Sequence, residues 1–171
     1  MEELYRRPGG PGGAHAGPHP LIIILDDVRS MHNVGSVFRT ADAFGIHAIY
    51  LCGYTPQPPH RDIHKTALGA TETVPWKHFA DGTEAVKSAK ACGYRVVAVE
   101  QAHDSTSLQQ FRWAGEKLAL VFGNEVAGVS NSLLEHCSEV IEIPQFGSKH
   151  SLNISVSAGV VLWELIRNIH S

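Results

Sequence analysis

The sequence predicts an α/β domain: a mostly parallel sheet flanked by helices. Three observations carry that prediction. Runs of β-forming residues such as Leu21–Leu25 and Leu118–Phe122 are continuously apolar, as strands buried on both faces require. Segments between such runs repeat apolar residues at helical spacing. Glycine or proline stands at most junctions, marking chain reversals. Strands alternating with helices build parallel layers.

The elements follow in order. Residues 1–20 stand apart, because Pro8 to Pro20 is rich in glycine and proline and has no periodicity. Such a stretch buries too little apolar surface to offset its ordering entropy, so a flexible tail is expected. The folded domain is expected over 21–171. Leu21–Leu25 is the first strand. A helix is predicted from Asn33 to Phe44, with Asn33 as a possible cap, and Gly45 stops it. Ala48–Cys52 is the next strand, followed by a proline-rich loop from Gly53 to Pro59. Asp81–Ala91 reads as a helix closed by Gly93, and Tyr94–Val99 and Leu118–Phe122 as strands. A short helix from Ser130 to His136, with Ser130 as N-cap, precedes a strand from Glu139 to Ile143 that Pro144 ends. The last helix, Ser151–Ile169, is apolar around much more than one face. The sheet covers one side of it, and a second copy of the chain is the simplest cover for another.

Composition narrows the function. A chain of 171 residues suits one domain. With 43% hydrophobic and 18% charged residues, wholesale disorder is excluded. Lys and Arg total 14 against 17 Asp and Glu, a net charge of −3. That argues against a generic electrostatic nucleic-acid binder while leaving room for a local basic face. Three cysteines without CxxC spacing make no disulfide framework, so a reducing, cytoplasmic setting is expected. No apolar run approaches the ~20 residues of a membrane span, and no signal-peptide stretch opens the chain. His60 and His64 have i,i+4 spacing, but no carboxylate or cysteine cluster completes a site, so no metal is expected.

Three loops, each after a predicted strand, lie where open α/β sheets bind ligands. The first runs from Asp26 to Thr40. On spacing alone its Asn33 reads as a cap, and its Arg39 as solvated or paired with Asp42. The second, Val121–Ser130, sets Glu125 between Gly123 and Gly128, and glycine permits close backbone approach to a ligand. It is neither GxGxxG nor a phosphate loop. The third, Ile143–Ser155, places Ser151, Asn153 and Ser155 at the mouth of an apolar helix. Capping explains one of these three, not all.

Together the loops resemble the three signature motifs of the SpoU (TrmH-type) branch of the SPOUT methyltransferases. Asn33-Val-Gly-Ser-Val-Phe-Arg39-Thr40 is similar to the first motif, Phe122 to Ser130 to the second, and Ile143 to Ser155 to the third. Lys65-Thr-Ala-Leu-Gly-Ala70 also matches a family segment. The resemblance spans about residues 21–170, and three motifs in order with the right separations are specific where one would be weak.

The resemblance implies a deep trefoil knot near the C-terminus, a homodimer, and methyl transfer from S-adenosyl-L-methionine to a ribose 2′-OH of tRNA or rRNA. It implies site roles as well. Arg39 matches an arginine that helps deprotonate the hydroxyl or holds the target phosphate, and Asn33 an asparagine that holds that arginine or the ribose. Glu125 matches a positioning glutamate, and Ser151 and Asn153 a pair lining the site. Gly123, Ile143 and Leu152, with Phe122 and Pro144, match the adenosine cradle. Many relatives add an RNA-binding module that residues 1–20 cannot supply, so the core dimer is expected to grip RNA through Arg29, Arg61, Lys65 and Lys149. The competing reading is a non-catalytic RNA-binding protein that keeps the fold. The intact set of Asn33, Arg39, Glu125, Ser151 and Asn153 argues against it.

Overall fold

A computed structural model describes residues 18–149 and 151–170 of the chain. In order the elements are β1 (His19–Asp26), α1 (Met31–Ala43), β2 (Ile46–Cys52), α2 (Arg61–Ala67), α3 (Ala70–Thr73), β3 (Trp76–Phe79), α4 (Gly82–Ala91), β4 (Arg95–Val99), β5 (Thr106–Ser107), β6 (Leu118–Phe122), α5 (Asn131–Leu134), β7 (Glu139–Glu142) and α6 (Ile154–Ile169). Of the tail expected at residues 1–20, residues 1–17 lie outside the described residues. His19 and Pro20, assigned to that tail, instead open β1, where His19 N donates to Gly45 O at 2.8 Å.

One sheet holds all seven strands in the order β3-β2-β1-β6-β4-β7-β5, and every pairing is parallel. Both faces are covered, which accounts for the continuous apolar runs. Leu21, Ile23 and Leu25 of β1 and Leu118, Leu120 and Phe122 of β6 join one core with α1, α2 and α6. Ile22, Ile24, Ala119 and Val121 point the other way, into a smaller core with α4 and α5.

Two helix starts differ from the sequence reading. Ser30, not Asn33, caps α1: its hydroxyl accepts the Asn33 N–H at 3.2 Å. Asn33 therefore sits inside the first turn, and its own side chain is released for other work. The last helix begins at Ile154 rather than Ser151, and Asn153 is its cap, accepting the Ser155 N–H at 2.9 Å. The preceding stretch stays a loop. Along α6, Ile154, Ala158, Val161, Leu162 and Leu165 are buried, while Val156, Val160 and Trp163 are exposed at the i, i+4, i+7 spacing of a single face.

The elements absent from the sequence reading are short: α2, α3, β3 and β5 have seven, four, four and two residues. They position the first loop all the same. A Cβ at Gly35 would strike Thr66 Oγ1 and the Ile63 carbonyl, so α1 and α2 cross at backbone contact. Thr66 Oγ1 donates to His32 O at 2.9 Å. Two motif residues, Gly35 and Thr66, thus serve packing.

Candidate functional site

Strands β6, β4 and β7 are neighbours in the sheet, and residues at their carboxyl ends line one cleft of about 470 Å³. Of the residues singled out from sequence, its walls include Asn33, Phe122, Gly123, Glu125, Ile143, Ser151, Leu152 and Asn153. All three motif loops therefore reach the same space.

Side-chain bonds tie the loops together. Asn153 Nδ2 donates to Asn33 Oδ1 at 3.0 Å, joining the third loop to the first. Glu125 joins the second to the first: its two carboxylate oxygens accept the backbone N–H of Arg29 at 3.2 Å and of Ser30 at 3.1 Å. An anion there also meets the positive end of α1. Asn124 shapes the second loop from within. Its Nδ2 donates to Asp27 O at 2.7 Å, and its Oδ1 accepts from Val126 N and Ala127 N.

The glycines of that loop are there for space. A Cβ on Gly123 would overlap the Gly128 backbone, and Gly128 itself has φ of +70°, a conformation that glycine adopts without strain. Glu100, which sequence reasoning missed, closes the arrangement. It follows β4, lines the cleft, and accepts Val129 N–H at 3.0 Å and Gln101 N–H at 3.0 Å. Its one sequence signal is its place directly after a buried strand.

Other residues fall elsewhere. Pro144 lines an adjoining hollow of about 540 Å³ rather than the cleft. Arg39 is exposed on α1 and is not among the residues lining the cleft. Six residues past Asn33, it lies ~9 Å further along the helix and ~240° around it. It forms no ion pair with Asp42, whose carboxylate instead accepts the Thr73 hydroxyl. Lys65 pairs with Asp62 at 3.1 Å, while Arg61 and Lys149 are exposed. Arg29 lies over the Tyr54 ring, 5.2 Å from its centroid.

Behind the site, burial raises Asp26 to a pKa of about 6, helped by the charges of Asp27 and Asp81. Burial also pushes the Cys52 thiol up, and Cys137 to about 11, so neither is a ready nucleophile. His60 accepts the Asp62 N–H at its own Nδ1 and caps α2. Among the described residues, no group of three or more His, Cys, Asp or Glu is placed to hold a metal ion. Among the same residues, no helix is long and apolar enough to cross a membrane.

A parallel α/β sheet with a cleft built by three loops at the carboxyl ends of its central strands defines a ligand-binding domain. The chain belongs to the SpoU rRNA methylase family, whose model matches residues 20–163. It is 36% identical over 148 residues to the 23S rRNA (guanosine-2′-O-)-methyltransferase RlmB of Escherichia coli strain K12, a match covering 86% of this chain and 60% of that protein. The chain thus spans about 60% of the length of the curated relatives it matches. The AdoMet-bound rRNA methyltransferase of Sinorhizobium meliloti superposes with a TM-score of 0.83 at 30% identity, covering 92% of this chain and 60% of that one. The TrmH/SpoU tRNA modifying enzyme of A. aeolicus gives 0.80 at 27% identity, covering 90% and 77%.

Proposed function

We propose that this domain transfers a methyl group from S-adenosyl-L-methionine to a ribose 2′-OH of rRNA or tRNA. The observation that carries the reading is the Asn153–Asn33 hydrogen bond on the cleft wall. It sets two carboxamides, each both donor and acceptor, beside the exposed Ser151 hydroxyl, a surface suited to orienting a sugar hydroxyl.

The cleft also fits the methyl donor. Apolar Val99, Ile143 and Leu152 line it beside the loop backbone at Gly123 and Asn124, which matches a purine ring with a polar edge. When bound, S-adenosylmethionine supplies a methyl group already activated by its sulfonium. The chain then has to orient and activate the hydroxyl. Asn33 and Asn153 hold the ribose, Glu125 fixes the loop against α1, and Glu100 fixes the return of the second loop. Arg39 holds the target phosphate and so positions the hydroxyl, whose proton passes to water as its oxygen takes the methyl group.

A homodimer belongs to the same reading. The exposed Val156, Val160 and Trp163 face supports it, and Thr40, one residue from Arg39, borders that face, its methyl 3.9 Å from where a Cβ on Gly159 would stand. A second copy covering that face sets Arg39 at the seam. The trefoil knot is part of this reading too, as membership of the family leads one to expect. So is a cytoplasmic setting, in keeping with three free cysteines.

Incubation with methyl-labelled donor and bulk rRNA or tRNA, followed by digestion to nucleosides, tests the activity. Label in 2′-O-methylnucleosides is the expected result. Label only in bases, or none from folded protein, sinks the reading.

A further inference from the structure

A second cleft, of about 650 Å³, adjoins the first and shares the wall formed by Asn124, Glu125, Val126 and Gly128. Its other side is built by Asp26, Asp27, Arg29 and Tyr54. Tyr54 is 76% exposed, so its ring fills no core. Its backbone is nevertheless held firmly. Tyr54 N donates to Asp27 Oδ1 at 2.8 Å, and Gly53 N donates to Phe79 O at 3.1 Å. Next in the chain, the buried Thr55 hydroxyl donates to Leu25 O at 3.0 Å and accepts Val28 N–H at 3.1 Å. An open aromatic ring on a turn this well anchored, with a guanidinium 5.2 Å from its centroid, is a preorganised stacking platform.

The charge around it selects the ligand. Carboxylates of Asp26, Asp27 and Glu125 outnumber Arg29 in this cleft, which disfavours phosphate and favours an edge rich in N–H donors. Among RNA bases, guanine presents two adjacent donors, N1–H and N2–H. The Asp27 carboxylate is fixed beside the platform by its bond to Tyr54 N and retains lone pairs to accept them.

We propose that this cleft is a nucleobase subsite for RNA, in which an unpaired guanine stacks on Tyr54 and Arg29 and donates N1–H and N2–H to Asp27. The proposal rests on the RNA-methylation reading and adds to it the recognition of a base near the methylated ribose. Single-stranded RNA is commonly read in this way, by stacking and by hydrogen bonds to an exposed base edge.

Fluorescence anisotropy with two labelled nonaribonucleotides tests it. One carries a single guanosine among uridines, and the other carries inosine there, which lacks N2–H. The wild-type protein should bind the guanosine strand about tenfold more tightly, and Tyr54→Ala should weaken binding about tenfold and erase the preference. Asp27→Asn should erase the preference while keeping the stacking. Its amide oxygen still accepts Tyr54 N–H, and Asn tolerates the local φ of +53°. Equal affinity of the wild type for both strands, or a preference that survives Tyr54→Ala, overturns the subsite. Methylation of bulk RNA by the same proteins keeps the two readings apart. Transfer by the wild type with an unaltered nucleotide pattern in Tyr54→Ala removes the subsite and leaves the activity. No transfer by the wild type removes the activity, and anisotropy alone then judges the subsite.

Discussion

Asn153 uses both ends of one carboxamide: its Oδ1 accepts the Ser155 N–H at 2.9 Å and caps α6, while its Nδ2 donates to Asn33 Oδ1 at 3.0 Å, 120 residues away in sequence. Helix start and cleft geometry are therefore set by the same group. Asn33 is available to receive this bond because Ser30 has taken over the capping of α1.

The two roles of Asn153 separate on substitution. Asn153→Asp keeps the capping acceptor but forces the Asn33 carboxamide to turn over and present Nδ2 in place of Oδ1. Thermal unfolding should change by less than ~0.5 kcal/mol, while methyl transfer falls by at least about tenfold, the worth of one well-made hydrogen bond to a reacting group. Asn153→Ala should lose the transfer and also ~1 kcal/mol of stability. Equal transfer by Asn153→Asp and wild type would remove the orienting role.

Gly123→Ala puts a methyl into the Gly128 backbone. The loop has to open, at a cost of ~1–3 kcal/mol, or a fall of about 5 °C in melting temperature. Calorimetry should show donor binding weakened by more than that loss of stability alone would produce, because the same loop lines the cleft.

Asp26 gives a pH signature. Its pKa stands at about 6 in the fold against 3.8 for a free aspartate, raised first by burial and then by Asp27 and Asp81. Between those values the folded chain binds more protons than the unfolded one, so stability falls as pH rises from about 4 to 6 and is level above. Asp26→Asn should flatten that slope. At neutral pH it should add ~1 kcal/mol, the shift being discounted for a half-exposed group. Denaturant titrations at pH 4.5 and 7 measure it, and an unchanged slope would point to another group.

Arg39→Ala should abolish methyl transfer while leaving donor affinity within about twofold, since Arg39 is exposed and off the cleft wall. Arg39→Lys should recover little if the contact is a bidentate one to phosphate. Normal turnover by Arg39→Ala would remove it from the mechanism.

Trp163→Glu places a charge on the exposed apolar face of α6, where Trp163 is 60% accessible. Sedimentation should show a monomer for the variant and a dimer for the wild type. A monomeric wild type would leave that face without the partner assigned to it.

Much of the frame was legible in the chain. Leu118–Phe122 is a strand as read, and the β1 run needed only His19, Pro20 and Asp26 added. Continuous burial on both faces leaves an unmistakable apolar signature. The short elements α2, α3, β3 and β5 left none, because at most two buried residues in each make no period. Ser30 and Asn33 are both good caps three residues apart, so local sequence does not choose between them. The path of the backbone, with Ser30 already held by Glu125, decides between them.

Periodicity and punctuation act between near neighbours in the chain, so strands, long helices and the three unusual loops followed from local sequence. Bringing those loops to one cleft depended on the insertion of β6 between β1 and β4. The bonds from Glu125 to the start of α1 and from Glu100 to Val129 exist only once that pairing has formed. The separation of Arg39 from Asn33 is local by contrast, since the turn of α1 sets residues six apart on different faces. Hydrogen bonds between distant segments depend on register across the sheet, and that register belongs to the fold as a whole.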